Sequence, residues 1–211
     1  MESNERRNAL AMLLALPVGA AALSGTAAAA APRKASAADR LDRLVSHQEI
    51  TDILNQYARG WDRLDEEALR GCFWPEAQHR HGGFKGLSQD FITRAFPVVA
   101  KVKGTRHSIS NIFIEIDGDR AFAECYFAAT HRRMNAAGTD EEDYFSSGRY
   151  LDRFERRGGV WKIAQRRGLN EFERIEPRAD VTLAKADPEQ LGRRKPEDPY
   201  YTMLADFRAG K

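Results

Sequence analysis

Cysteine is scarce in this sequence. Its two cysteines, Cys72 and Cys125, belong to no CxxC or Cys/His zinc spacing, which argues against a structural zinc site or a disulfide-stapled fold. The sequence allows one disulfide between them. Two buried free thiols are the favoured interpretation, because unpaired cysteine usually packs as a small apolar side chain.

An excess of charge of one sign is also lacking. Lys and Arg number 33 and Asp and Glu number 31, which leaves a net charge of +2. A nucleic-acid partner would need basic residues gathered on one face, so none is predicted. With 211 residues, of which 42% are hydrophobic, the chain has enough apolar surface for one compact domain with tails and too little for two.

Long uncharged runs are absent beyond the first 32 residues. There, Arg6 and Arg7 precede an uncharged stretch over residues 8–32 that is rich in alanine. A positive start, a moderately apolar centre and small residues at the end are typical of a cleavable, twin-arginine-like signal peptide. We therefore expect an exported, periplasmic protein whose mature chain begins near Arg33. The alternative is an uncleaved membrane anchor, which Pro17 and the many alanines disfavour.

Helical periodicity dominates the first part of the mature chain. Apolar residues recur at spacings of three and four, which predicts one long helix with a buried face: Ile50, Ile53, Leu54, Tyr57, Ala58 and Trp61. Ser46 and Glu49 form a capping-box pattern, which predicts that this helix starts near His47, after a shorter helix over residues 39–45.

Two further helices are expected before the strands begin. Acidic residues from Asp65 onward suit the start of a short helix that runs through Leu69. Ser88 can cap a third helix that extends to about Val102, and Pro97 should kink or shorten it.

Strand signals fill the rest of the domain. Residues 109–116 are rich in β-branched side chains, and Asp117-Gly118 is a strong hairpin signal. Strands are predicted over residues 120–132, 143–154 and 160–172. Helices followed by a strand meander indicate an α+β fold with a curved antiparallel sheet over residues 39–176, with a pocket at its open end. The polar tail, residues 177–211, contains one apolar cluster at 200–204 that could dock over the barrel or on a neighbouring subunit.

Several segments together carry a family resemblance. They are "ITDILNQYARGWDRLDEEAL", "TRHSISNIFIEIDGDRAFAECY" and "YLDRFERRGGVWKIAQRR", which in order and spacing resemble the first helix, the central hairpin and the final hairpin of SnoaL-like (nuclear transport factor 2-like) domains. The resemblance covers roughly Leu41 to Glu173. It implies a cone-shaped α+β barrel and a homo-oligomer, with a trimer favoured.

Within that superfamily the chain is most similar to a lyase branch with an Asp–His dyad, which includes hexachlorocyclohexane dehydrochlorinase, bile-acid 7α-dehydratase and scytalone dehydratase. The resemblance places the aspartate at Asp62 in "YARGWD" and the histidine at His107 in "GTRHSISN". It further implies catalytic roles for Tyr57 and Arg166. His81 stands where the dehydratases carry a second tyrosine, which changes the donor and the space offered to a substrate.

These residue types suit β-elimination without a metal or an organic cofactor. An imidazole titrates near neutrality, and a carboxylate on its other nitrogen fixes the tautomer and raises its basicity. His107 would therefore be the base and Asp62 its partner. Tyr57 and Arg166 would stabilise developing charge or a leaving group, and His81 would bind a polar substituent.

Each of these residues also has a purely structural interpretation. Asp62 lies at the flank of the apolar stripe, where a solvated helix end is common, and Tyr57 lies on the buried face. Arg166 belongs to a basic run that a solvated strand face would explain. His79 and His81 have the spacing of two metal ligands on one strand face, but no third ligand is evident and no metal is predicted. His47 and His131 are interpreted as ordinary surface residues.

The predicted function is a cofactor-free lyase acting on a hydrophobic cyclic or aromatic molecule, or a related enzyme that cleaves a carbon–carbon bond. Aromatic residues available for such a pocket are Trp61, Phe73, Trp74, Phe84, Phe113 and Tyr126. The alternatives are a non-catalytic binding or assembly subunit, as in the β subunits of ring-hydroxylating dioxygenases, and an isomerase or epoxide hydrolase, because fold alone does not determine function. The expected partner is a small molecule, with no membrane contact after signal cleavage.

Overall fold

The computed structural model of the protein describes residues 35–180 and 183–211. The signal-peptide prediction for residues 1–32 lies outside the described residues. The helices are α1 (Ala37–Arg63), α2 (Glu66–Gly71), α3 (Ser88–Lys101) and α4 (Pro199–Arg208). The strands are β1 (Phe73–His81), β2 (Phe84–Leu87), β3 (Gly104–Asp117), β4 (Arg120–Met134), β5 (Glu141–Arg157) and β6 (Val160–Pro177).

Helix α1 begins ten residues before the predicted start, and the shorter helix expected over residues 39–45 is its first part. Ser36 and Asp39 form the capping box, so the prediction of a start near His47 is wrong. Ser46 is instead buried in the middle of α1, where its hydroxyl accepts a hydrogen bond from Arg156 at 3.3 Å. A capping pattern inside a helix-forming stretch has no free backbone donors to satisfy, so its serine is available for a contact with the sheet.

The N-terminal helices pack on one face of a six-stranded curved sheet with the strand order β2-β1-β6-β5-β4-β3. This confirms the expected α+β class with helices on a curved sheet. The sheet is mixed rather than wholly antiparallel, because β1 pairs with β6 in parallel. Parallel neighbours need a long crossover, and here α3 together with the β3–β5 meander supplies it.

The core lies between the helices and the inner face of the sheet. Both cysteine thiols are free and buried there, as favoured from the sequence. Buried residues include one long stripe of α1 and alternate positions of β4: Ile50, Leu54, Tyr57, Trp61, Ala121, Ala123, Cys125, Phe127 and Ala129. The short helix α2 begins after Asp65, whose carboxylate accepts from the backbone of Ala68 at 3.3 Å.

In strand β3 the alternation of inward-facing and outward-facing side chains shifts by one residue at Asn111. That residue has a φ of 49° at a bulge between Ser110 and Phe113. Before the bulge His107 and Ile109 face inward, and after it Ile112 and Ile114 do. An extra residue in one strand reverses which face the following residues occupy.

The tail runs back over the end of α1. After short 3-10 turns at Leu183–Lys185 and Pro188–Gln190, helix α4 begins at Pro199. The guanidinium of Arg59 lies 4.0 Å from the ring centroid of Tyr200 and 5.5 Å from that of Tyr201, so these two residues of the apolar cluster contact α1 of the same chain, while Met203 remains exposed. Among the described helices, none is long and apolar enough to cross a membrane.

Candidate active site

Asp62 and His107 meet where the last turn of α1 crosses the start of β3. The Nδ1 atom of His107 lies 2.7 Å from Oδ1 of Asp62, and the backbone N–H of His107 donates to Oδ2 of Asp62 at 2.9 Å. Both side chains are largely buried. The two contacts hold the imidazole by its Nδ1 edge, so that Nε2 is the nitrogen left available to another molecule.

Two cavities adjoin His107. The outer cavity, of about 220 Å³, also contains Asp62 and is lined by Asn55, Ala58, Arg59, Asp62, Arg63, His107, Ile109 and Tyr200. The inner cavity, of about 110 Å³, is lined by Tyr57, Trp61, His81, Phe91, Ala95, Val99, His107, His131 and Tyr150. A cavity of roughly 150 Å³ can hold benzene. A ring-bearing ligand at His107 would therefore have to displace inner side chains or extend into the outer cavity.

The inner cavity is walled by stacked rings. Phe91 of α3 stacks on His79 with ring centroids 4.0 Å apart and on His81 at 5.8 Å, and it meets Trp61 edge-on at 6.1 Å. Such walls favour a flat or cyclic apolar molecule. Phe84 lies behind this wall, 5.3 Å from the ring of Phe91, and lines neither of the two cavities.

Tyr57 and Tyr150 are the phenols of the inner cavity. Their rings meet edge-on at 5.7 Å, and both are buried. Burial raises the pKa of each hydroxyl, while the positive charge of Arg166 opposes that change. Both phenols therefore keep their protons at neutral pH and can act as hydrogen-bond donors.

The side chain of Arg166 lies in the interior of the domain. Its guanidinium donates to both oxygens of Asp152, at 2.8 and 2.5 Å, and neither side chain is exposed. Burial works against its charge, yet the carboxylate of Asp152 raises the pKa of Arg166 above its usual range. The guanidinium carbon lies 4.0 and 4.3 Å from the ring centroids of Tyr57 and Tyr150. Arg166 thus lies behind the phenols and outside the lining of both cavities, unlike the direct contact that the resemblance implied.

His79 and His81 do share one face of β1, with nearly parallel rings 6.3 Å apart. Burial lowers the pKa of His79 to about 2 and also lowers that of His81. Neither ring nitrogen of His79 has a hydrogen-bond partner among the described residues. No group of three or more His, Cys, Asp or Glu that could hold a metal ion occurs within residues 35–180 and 183–211.

His131 was interpreted as a surface residue, but it lines the inner cavity. Its ring lies 5.4 Å from that of His107, and its Nδ1 is 2.9 Å from Oγ1 of Thr105. Burial, followed by the charge of His107, lowers the pKa of His131 to about 4. The alternation of buried residues from Ala121 to Ala129 continues to position 131 and could have identified it.

Two residues expected to bind substrate lie on the other face of the sheet. Phe113 is 55% exposed and Tyr126 is 39% exposed. Strict alternation from His107 would have put Phe113 inward, but the bulge at Asn111 reverses its direction. Tyr126 lies between the inward-facing Cys125 and Phe127, so it points outward. Trp61 and His81, in contrast, line the inner cavity together with His107.

Known structures share this architecture at low identity. A proposed scytalone dehydratase from Novosphingobium aromaticivorans DSM 12444 is 20% identical, with 66% of this chain and 93% of that chain covered at a TM-score of 0.58. A hexachlorocyclohexane dehydrochlorinase from Novosphingobium barchaimii LL02 is 21% identical, with 67% and 96% covered at a TM-score of 0.57. A proposed aromatic ring hydroxylase from Novosphingobium aromaticivorans is 22% identical, with 67% and 96% covered at 0.54. At such identities these similarities show the fold alone.

No curated protein matches the chain significantly. The family model of the SnoaL-like domain, however, matches residues 42–167. That range runs from residue 42, within α1, to the part of β6 that carries Arg166, and it contains both Asp62 and His107. The chain therefore belongs to the SnoaL-like domain family.

Proposed function

We propose that the protein is a cofactor-independent lyase that eliminates water or a halide from a small hydrophobic cyclic or aromatic molecule, with His107 as the base. The observation that carries this proposal is that Asp62 binds both the ring and the backbone N–H of His107, beside a cavity walled by aromatic rings. The fold shared with proteins described as a dehydratase and a dehydrochlorinase supports the same class of reaction.

The dyad would act on a carbon-bound proton. With Nδ1 of His107 donating to Asp62, the lone pair of Nε2 accepts the proton, and the carboxylate stabilises the imidazolium that forms. The electron pair of the broken C–H bond becomes the new C=C bond, and the leaving group departs with its own bonding pair. A halide leaves as the anion, while a hydroxyl must take up a proton to leave as water.

The inner cavity supplies donors for that leaving group. Tyr57 and Tyr150 both remain protonated at neutral pH, although the charge of the adjacent Arg166 opposes the rise in the pKa of each hydroxyl. His131 is neutral in the same range and adds a further polar group. Proton transfer from such a donor is a typical source of 10²- to 10⁴-fold rate enhancement, about the same as that of the base.

The reaction class can be read from product masses. The protein is incubated, with a chelator present, with a panel of hydroxylated, halogenated, epoxide-bearing and lignin-derived ring compounds, and products are analysed by mass spectrometry. Loss of water or hydrogen halide supports elimination, and loss of formaldehyde supports the carbon–carbon cleavage variant. An unchanged mass identifies an isomerase and gain of water an epoxide hydrolase, and either result would replace the lyase proposal. Binding without any turnover would favour a non-catalytic binding module.

We further propose that the protein is exported by its N-terminal segment and forms a homotrimer. The outer face of the sheet supports the second point, since large aromatic side chains are exposed there: Phe113, Phe122, Tyr126 and Phe172. Exposed apolar patches of this kind commonly mark interaction surfaces. Light scattering after size exclusion should report three copies, and Phe122→Asp should lower that mass. A monomeric wild type would contradict the oligomer proposal, and retention of the full-length chain in the cytoplasm would contradict export.

A further inference from the structure

Gly168 of β6 lies against the ring of His81 at the wall of the inner cavity. In the parallel pairing of β1 with β6, Arg80 lies opposite Arg167. The next residues of the two strands, His81 and Gly168, are therefore neighbours. On its other side Gly168 pairs with Tyr150 of β5. The rings of His81 and Tyr150, which both line the inner cavity, lie 5.9 Å apart, so the glycine separates two residues of the cavity wall.

The space beside Gly168 is too small for a side chain. A Cβ atom at that position would lie 2.6 Å from Nδ1, 2.8 Å from Cγ and 3.0 Å from Cε1 of the His81 ring. Carbon atoms in contact are normally about 3.5–4.0 Å apart, so the ring and an added Cβ cannot both keep these positions. The φ angle of Gly168 lies outside the left-handed region, so the backbone conformation does not itself require glycine. The position of the imidazole is what requires it.

The ring of His81 is the group that would have to yield. Its Nδ1, the atom closest to the added Cβ, is buried and has no hydrogen-bond partner among the described residues, so no polar contact holds this edge of the ring. Phe91 stacks on the ring with centroids 5.8 Å apart. In Gly168→Ala the imidazole would therefore move away from β6, toward the cavity between the sheet and the helices.

The inner cavity has no volume to spare for such a movement. It measures about 110 Å³, whereas benzene occupies a cavity of roughly 150 Å³. A bound ring must already displace side chains of the wall. Any volume that the imidazole of His81 takes from the cavity should therefore weaken the binding of a ring directly.

We propose that Gly168 is a positioning residue: by leaving the place of a Cβ atom empty, it lets the imidazole of His81 rest against β6 and keeps the inner cavity open to a single ring that carries a polar substituent. A monocyclic phenol is a ligand of this class. This inference rests on the proposed function for the identity of the site, but it concerns binding, and its test does not require turnover.

The test is a double-mutant cycle with the full chain. Calorimetry measures the affinity for phenol of the wild type, Gly168→Ala, His81→Ala and the double variant Gly168→Ala, His81→Ala. Gly104→Ala is the matched control, because Gly104 also lies in a strand, has a φ outside the left-handed region and has no atom within 4 Å of an added Cβ. Urea denaturation verifies that each variant is folded.

Gly168→Ala should bind phenol about tenfold or more weakly than the wild type, as expected for overpacking of a closed cavity. In the background of His81→Ala the same substitution should change the affinity by no more than about twofold, because the added Cβ no longer meets an imidazole. Gly104→Ala should bind as the wild type does. Coupling of this kind in a protein that turns over no panel compound would sustain the positioning role while rejecting the lyase proposal.

Three binding results would overturn the inference. They are wild-type affinity in Gly168→Ala, an equally large effect of that substitution without the imidazole, and no binding of phenol by the wild type up to about 10 mM. If Gly168→Ala does not fold, the double variant decides. A folded double variant would show that the imidazole is the group that the added Cβ meets, and an unfolded one would contradict the proposal.

Discussion

Asp62 contacts His107 twice, through its ring Nδ1 at 2.7 Å and through its backbone N–H at 2.9 Å. The backbone contact fixes the carboxylate, and the fixed carboxylate in turn fixes the ring. A neutral ring that donates from Nδ1 to this carboxylate has its lone pair on Nε2, as the proposed role of His107 requires. These two contacts lead to predictions that distinguish a catalytic dyad from an ion pair with only a structural role.

The first expectation concerns the proton on His107. In the wild type at pH 8 the neutral ring should carry its proton on Nδ1, and in Asp62→Asn a substantial fraction should shift to Nε2, because an amide is a weaker acceptor than a carboxylate. Nitrogen-15 NMR of ring-labelled histidine distinguishes the two tautomers. His47→Gln, which removes an exposed histidine, identifies one surface signal by its loss. A wild-type ring protonated mainly on Nε2 would contradict the orientation of the base.

The second expectation concerns Arg166 and Asp152. Asp152→Asn should lower the free energy of unfolding by about 3–5 kcal/mol, because it leaves a buried guanidinium without its counter-charge. The double variant Asp152→Leu, Arg166→Met should recover much of that loss, since apolar residues can replace a buried ion pair. Urea denaturation measures both. If Asp152→Asn is as stable as the wild type, Arg166 has another partner and the interpretation of the pair is wrong.

The third expectation concerns acid stability. The folded state holds the pKa of His79 at about 2, below the value of about 6.5 for an unfolded chain. Between these values the unfolded state binds an extra proton at this residue. Stability should therefore fall as the pH drops below about 6.5, by up to about 1.4 kcal/mol per pH unit from this residue. His79→Leu should flatten the dependence, measured as the urea midpoint from pH 8 to 5. An unchanged slope would show that His79 is not the source.

The fourth expectation concerns the bulge in β3. Asn111 has a left-handed φ of 49°, a region that glycine and asparagine tolerate and β-branched residues do not. Asn111→Gly should therefore retain wild-type stability, whereas Asn111→Val should lose about 1–2 kcal/mol. Chemical denaturation compares the two variants. Equal stability of both would mean that the strand can straighten, and Phe113 would then be free to face inward.

The elements that were predicted correctly are those whose signals are local. The apolar stripe of α1, the start of α2 at Asp65, the range of α3 and the Asp117-Gly118 hairpin all depend on residues close in sequence. The order of such landmarks was enough to identify the family. The pairing of Asp62 with His107 was expected from the family resemblance, which placed the aspartate at the end of the first long helix and the histidine at the start of the central strand.

The features that were missed depend on contacts between distant segments. The buried role of Ser46 comes from Arg156 of the sheet, and the outward direction of Phe113 comes from one bulged residue upstream. The ion pair of Arg166 with Asp152 forms because the register of β5 with β6 places these two residues opposite each other. His131 showed a usable alternation signal, whereas the contact of Arg194 with the carbonyl of Ala100 follows from no local pattern.

The most direct test of the account is the turnover of His107→Ala, on whichever panel compound reacts, relative to the wild type and to the exposed-site control His47→Ala. The account predicts that kcat falls by about 10²- to 10⁴-fold in His107→Ala. The variant should still bind the substrate, and kcat of the control should equal that of the wild type. If His107→Ala turns over at the rate of the wild type, His107 is not the base, and the central claim is contradicted.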